Sequence, residues 1–205
     1  VQEPFAQRYP GYVLVELADS VDEAALNALV EQVIGAALER ELCLDAAVSA
    51  SLAQVQALWK LREEISEAQR ADGPHLKHDV SLPIERIPEF MVSAEARVRA
   101  VSADVRPFIF GHFGDGNLHY NLSRPAGAPT DWAAKEGAAI TDVVLDEVNR
   151  YGGSISAEHG IGQLKRDLLA TCKSAVELDM MRAVKRAFDP YGLMNPGKVL
   201  PDAGQ

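Results

Sequence analysis

The sequence predicts an α+β fold, an antiparallel sheet with helices packed on one face. Three observations carry this. Apolar runs of strand length alternate along the chain with longer segments whose apolar residues recur at helical spacing. An Asp-Gly pair, Asp115-Gly116, stands between two short runs rich in apolar residues, which is a strong hairpin signal because a two-residue turn wants φ > 0 at both centres. Finally, 205 residues of 47% hydrophobic composition can bury a sizeable core. No internal repeat, low-complexity tract or linker divides them, so one domain over residues 1–205 is expected.

Taken in order, GYVLVELAD (residues 11–19) reads as a buried strand. Residues 22–40 read as a helix that opens with an acidic first turn and carries Ala25, Leu29, Val33 and Leu38 as its stripe. Residues 44–50 form a second short apolar run, taken as a strand. Residues 51–70 read as a helix with Leu52, Val55, Leu58, Trp59 and Ile65 on its buried stripe. KHDVSL (residues 77–82) reads as a strand ended by Pro83. Residues 84–101 are helical, with Pro88 where a proline is tolerated, near the first turn. In the hairpin that follows, a two-residue loop pairs Gly114 with Asn117, Phe113 with Leu118 and His112 with His119. Residues 131–151 form a helix closed by Gly152-Gly153. Residues 155–157 are short and extended, a helix starts at Gly160, and another covers residues 173–188. The stretch DPYGLMNPGKVLPDAGQ (residues 189–205) has no periodicity and should wrap a surface or reach a partner.

The charge balance excludes several classes of partner. Twenty basic against thirty acidic residues give a net charge of −10, with no basic run or basic-aromatic stripe, so neither nucleic acid nor an anionic membrane is an expected partner. No apolar run approaches the roughly 20 residues of a membrane span. VQEPFAQRYP is neither a signal nor a transit peptide, and without an initiator Met it reads as the start of a fragment or a processed chain. Cys43 and Cys172 have no motif spacing and read as reduced structural thiols of a cytoplasmic protein.

Three constellations could carry chemistry. In the two-residue-loop register His112 and His119 are directly opposed, with Cβ atoms about 4.5–5.5 Å apart, close enough to chelate one metal ion. The bland alternative is a tight hairpin with two incidental imidazoles. The second constellation is SAEHGIGQLKRD (residues 156–167). Neighbouring side chains of a regular strand point to opposite faces, so Glu158 and His159 can share a site only if the backbone turns, which Gly160 and Gly162 permit. Glu158 would then add a carboxylate to the two histidines. Two His and one carboxylate suit zinc or another divalent transition metal, leave positions open for water or substrate, and leave His159 free to take a proton. The glycines could equally do no more than cap a helix. Third, Arg62 and Ser66 are four apart on one helix face, and with Lys77 they could clamp a carboxylate. The ordinary reading is Arg62 paired with a surface acid and Ser66 solvated. His75 and His78 lie nearby without an assigned role.

The ordered motifs W-x-LRE-x2-S, K-x-DVSLP, GHFGDGNLHYN, AEHGIG-x2-K and FDPYGLMNPGK resemble one family over about residues 12–201. It is the C-terminal half of the FAD-linked D-2-hydroxyacid dehydrogenases, flavoproteins of the vanillyl-alcohol-oxidase type. Members acting on D-2-hydroxyglutarate are nearest; D-lactate and glycolate are the alternative substrates. The resemblance implies a ferredoxin-like cap domain that holds substrate over a flavin bound by an N-terminal FAD domain. No segment here resembles that domain, so the chain looks like an excised cap, inactive alone. It implies His112, His119 and Glu158 as metal ligands, with zinc the expected metal, and His159 as general base. Arg62, Ser66, Lys77 and Asn121 match substrate contacts, and Asn195 and Lys198 match a segment packed near the flavin. Ser66 stands where close relatives have Thr; it keeps the hydroxyl and loses the methyl. Two separate cations, Arg62 and Lys77, favour a substrate with two carboxylates. The implied partners are a small 2-hydroxyacid, the chain's own FAD domain and an electron acceptor.

Two other function classes stand beside this one. A non-catalytic module could capture a metal and a hydroxyacid, and a metal-dependent hydrolase could use Glu158 as base. An apolar face left open by the missing domain could also drive a homodimer.

Overall fold

Two predicted strands do not form. The structure, a computed structural model, describes residues 3–20 and 22–201; residues 1–2 and 202–205, at the two ends of the expected domain and of its C-terminal stretch, lie outside the described residues. The chain divides into two compact units between Ala71 and Asp72. In the first unit neither residues 11–19 nor residues 44–50 join a ladder. Tyr12, Val13, Val15, Leu44 and Val48 are all exposed. An apolar run becomes a strand only where another backbone offers its N–H and C=O groups, and among the described residues none is paired with either run.

The helices of this unit do form. Helix α1 (Glu23–Glu39) is capped by Asp22, whose carboxylate accepts the Ala25 amide at 2.9 Å. Its half-buried stripe is Leu26, Val30, Ile34 and Ala37, and not the expected one, of which Leu29, Val33 and Leu38 are exposed. The helix expected over residues 51–70 is two: α2 (Leu52–Glu63), capped by Ser51, and α3 (Ile65–Asp72), separated at Glu64. The expected stripe is only partly covered, with Leu52 81% exposed.

The second unit holds the sheet. Its strands are β1 (His75–Leu76), β2 (Asp79–Ser81), β3 (Arg106–His112) and β4 (Asn117–Ser123). The strand β4 is central and antiparallel to all the others, with β3 on one side and β1 followed by β2 on the other. Period-2 alternation sorts β4 cleanly. Leu118, Tyr120 and Leu122 turn to one face and are buried against α4 (Ile87–Val101) and α5 (Trp132–Arg150). From α4 come Ile87, Phe90, Ala94 and Val98, and from α5 Trp132, Ile140, Val144 and Val148. Phe90 meets Tyr120 edge to face at 5.5 Å, a geometry that adds to simple burial. The expected α+β architecture, with helices on one face of an antiparallel sheet, is the one observed here.

The hairpin register differs from the expected one. Phe113–Asp115 form a 3-10 turn and Gly116 takes φ +74°, so the loop is longer than Asp-Gly. His112 is opposite Asn117 and His119 is opposite Phe110. The slip is two residues, and an even slip keeps every side chain on its original face. His112 and His119 thus share a face but are diagonal neighbours. The helix expected from Gly160 begins only at α6 (Arg166–Cys172), because Gly160 and Gly162 sit at φ +79° and +56°, outside helical space. Helix α7 (Ala175–Phe188) opens with a capping box between Ser174 and Glu177.

Candidate metal and substrate site

The face of β4 turned away from α4 and α5 carries Asn117, His119 and Asn121. Register places Asp79 opposite His119 and Ser81 opposite Asn117 on one side. On the other side it places His112 opposite Asn117, Phe110 opposite His119 and Phe108 opposite Asn121. A row of polar groups therefore runs along the centre of a sheet whose reverse side is apolar apart from the Tyr120 hydroxyl. Phe110 lies against the His119 ring, centroids 4.8 Å apart, and limits its orientation. Only 14% of the His119 side chain is exposed, against 51% for His112.

Glu158 reaches this face from the segment after Gly152-Gly153. That segment is tied to β2 by reciprocal backbone bonds between Ser81 and Ser154. The Glu158 carboxylate lies between the two hairpin histidines. Its Oε1 is 3.4 Å from His112 Nδ1 and its Oε2 is 3.8 Å from His119 Nε2. Asn117 donates its side-chain amide to Glu158 Oε1, which orients the carboxylate. His159 is beside it, its ring centroid 5.8 Å from that of His119 and its Nδ1 3.9 Å from Asp79 Oδ2.

Two imidazoles and a carboxylate are donors of the kind that zinc or another divalent transition metal takes, and here each imidazole meets a different oxygen of the carboxylate. Ligands bonded at about 2.0–2.2 Å in tetrahedral geometry stand roughly 3.3–3.6 Å apart, close to the His112–Glu158 and His119–Glu158 separations. The three ligand atoms that all come together belong to a different set, which leaves out His112 and Glu158. Among the described residues, one ligand atom each from Asp79, His119 and His159 lie within 4.8 Å of one another. His119 belongs to both groups.

Asp79 is the member that sequence reasoning missed. Its side chain is 4% exposed. Its Oδ2 accepts the Ala157, Glu158 and His159 amides at 3.1, 3.2 and 3.0 Å and the Ser156 hydroxyl at 3.2 Å. Burial works against its charge, but the His159 and Glu158 amides, the His159 ring and the Ser156 hydroxyl outweigh it and hold the carboxyl below its usual range. The available signal was an acid in the middle of a short strand, where an unpartnered charge is not tolerated. Lys165 adds to the same support, donating to the carbonyls of Ile155 and Asp79.

The proposed substrate contacts are spread along the chain. Arg62 and Ser66 belong to the first unit, half-buried on α2 and exposed on α3. Lys77 is exposed between β1 and β2. Asn121 is buried on the site face of β4, its side-chain Oδ1 accepting the His78 backbone amide at 3.1 Å. Lys198 Nζ donates to Gln163 Oε1 at 3.1 Å and the Val199 amide to the Gly162 carbonyl at 2.7 Å, so the NPGK segment folds back onto the turn that follows His159. Asn195 there is exposed, with φ +48°.

Residues 1–199 match the model of the family described as FAD linked oxidases, C-terminal domain. The chain is 40% identical over 199 residues to a D-2-hydroxyglutarate dehydrogenase of Stutzerimonas stutzeri (strain A1501), covering 97% of this chain and 42% of that protein. It is 35% identical over 196 residues to the mitochondrial D-2-hydroxyglutarate dehydrogenase of Danio rerio, covering 94% and 35%. The Rattus norvegicus mitochondrial protein of that name is 35% identical over 198 residues, covering 95% and 35%. The chain thus spans well under half the length of these curated relatives. Among the described residues, no helix is long and apolar enough to cross a membrane.

Proposed function

The chain belongs to the family of FAD linked oxidases, C-terminal domain, and on that premise we propose that it is the substrate- and metal-binding part of a flavin-dependent dehydrogenase. The reaction is oxidation of a D-2-hydroxyacid to the 2-oxoacid, with D-2-hydroxyglutarate the foremost substrate because its relatives carry that name. D-Lactate and glycolate are the alternatives. FAD would be held mainly by a part of the protein outside these residues, and it would supply the hydride-accepting chemistry.

His112, His119 and Glu158 would hold one divalent metal, zinc foremost. When bound, it supplies Lewis acidity that lowers the pKa of a coordinated hydroxyl. The observation that carries this reading is the Glu158 carboxylate set between two imidazole nitrogens at 3.4 and 3.8 Å. The same engagement argues against Glu158 as the free base of a hydrolase. His159 is the proton acceptor. Its Nδ1 is the nitrogen nearer the Asp79 carboxylate, so Nε2 is assigned to the substrate hydroxyl. Asn121 and Lys77, with Arg62 and Ser66, bind the carboxylates, and two cations select a substrate with two of them. Asn195 and Lys198 are assigned to the flavin side. A cytoplasmic setting is in keeping with the free thiols Cys43 and Cys172.

Elemental mass spectrometry of the purified protein, beside a His112→Ala/His119→Ala double variant, tests the metal assignment. About one equivalent of zinc or manganese, lost in the variant, is the expected result. No metal in either protein after reconstitution would overturn it.

A further inference from the structure

We propose that Asp79 is the positioning residue that forces Glu158 and His159 onto one site, and that it acts through the loop at residues 156–159, not as a ligand or base. The proposal rests on the reading of Glu158 as a metal ligand. Two adjacent residues cannot face the same side of a regular strand. Something must hold the backbone in another shape, and Gly160 at φ +79° only permits the turn. Asp79 supplies the template. Three successive amides, those of Ala157, Glu158 and His159, converge on its carboxylate, and the Ser156 hydroxyl joins them. Such a run of amides makes a concave anion-binding nest. Here the anion is built into the neighbouring strand, opposite His119, so the nest is docked in register with the hairpin.

The convergence of Asp79, His119 and His159 within 4.8 Å invites the opposite reading, in which Asp79 ligates the metal. Its hydrogen bonds argue against that. Oδ2 already serves four donors and Oδ1 lies 3.3 Å from the Glu158 amide. A cation on Oδ2 would compete with these donors, and an amide left unpaired in a buried site is costly. Asn117 completes the arrangement from the other side: Asp79 fixes the Glu158 backbone, and Asn117 fixes its carboxylate. Groups one bond removed from a metal typically change its affinity about 10–100-fold when lost.

The test uses Asp79→Asn in the whole protein that carries this chain, with two readouts. Amide exchange of residues 157–159 should rise at least ~10-fold while β3–β4 amides keep their protection, a confined effect that general destabilisation would not produce. Cobalt(II), followed by its visible d–d absorption, should bind roughly 10–100-fold more weakly, and Asp79→Asn on a Glu158→Ala background should cost less than about 3-fold more. Unchanged exchange at 157–159 overturns the proposal. So does a multiplicative loss in the double variant, which would make Asp79 a direct ligand. If the parent protein binds no cobalt, the metal reading fails and the exchange result alone judges Asp79. Should Asp79→Asn not fold, Ser156→Ala removes one of the four donors; a smaller loss of protection in the same segment is expected, and none would overturn the proposal.

Discussion

His78 shows at the residue scale how one tautomer is chosen by its surroundings. Its Nδ1 faces the Tyr120 carbonyl at 2.8 Å, so that nitrogen carries the proton, and Nε2 accepts from the Thr141 hydroxyl at 3.0 Å. Burial, helped by the charge of Lys165 and opposed by the Tyr120 bond, pulls its pKa down to about 4. Between that value and the ordinary 6.5 the unfolded chain takes up a proton that the folded one refuses. Stability contributed by neutral His78 is therefore complete above pH 6.5 and falls as pH drops toward 4, by about 3 kcal/mol. Urea denaturation between pH 7 and 4 should show this slope, and His78→Gln should flatten it. Nothing in the sequence separates this histidine from its site neighbours: GPHLKHDV (residues 73–80) offers His75 and His78 as plausibly as the hairpin offers His112 and His119. Only the fold decides: Asp79 is opposite His119 on the site face, while His78, just before β2, bonds Thr141 of α5.

At the scale of elements, the hairpin is where local signal and outcome part. Asp115-Gly116 announces a turn, and a turn is there, but Asp115 closes a 3-10 turn and accepts the Asn117 amide at 3.0 Å. Gly116 is required twice over. Its φ is +74°, and a Cβ there would stand 2.1 Å from the Leu82 carbonyl oxygen. Gly116→Ala should therefore cost at least about 2 kcal/mol in denaturant melts, from left-handed backbone strain and forced displacement of the strand end. On the proposed metal assignment, metal binding should fall with it, because the turn sets the diagonal spacing of His112 and His119. The register was not legible because loop length cannot be read from an Asp-Gly pair. The face was legible, because an even slip conserves it. The long helices α4, α5 and α7 were legible to within two or three residues, since each has an apolar stripe, with a proline at the start of α4, a capping box at the start of α7 and Gly152-Gly153 closing α5. The strand readings of residues 11–19 and 44–50 failed for the converse reason: hydrophobicity marks a run that could pair, and pairing needs a partner.

The two units of the molecule differ in how much they bury. Among the described residues of the first unit only Gln69 is buried, whereas the second holds the whole cluster from Val80 to Ile155. Hydrogen exchange should accordingly be faster throughout residues 3–20 and 22–71 than in β3, β4, α4 and α5, and equal protection of both units would refute this ordering. On the same scale, the sequence by itself determined the fold class, the family and the roster of chemical groups. These depend on residue identity and short spacings, which survive local shifts in register and helix boundary. The tertiary structure alone decided which of five histidines meet one carboxylate, that Asp79 holds the loop beneath them, and which face of each strand is open. Those outcomes depend on contacts between segments as far apart as Asp79 and His159, and no local pattern encodes a distance across the fold.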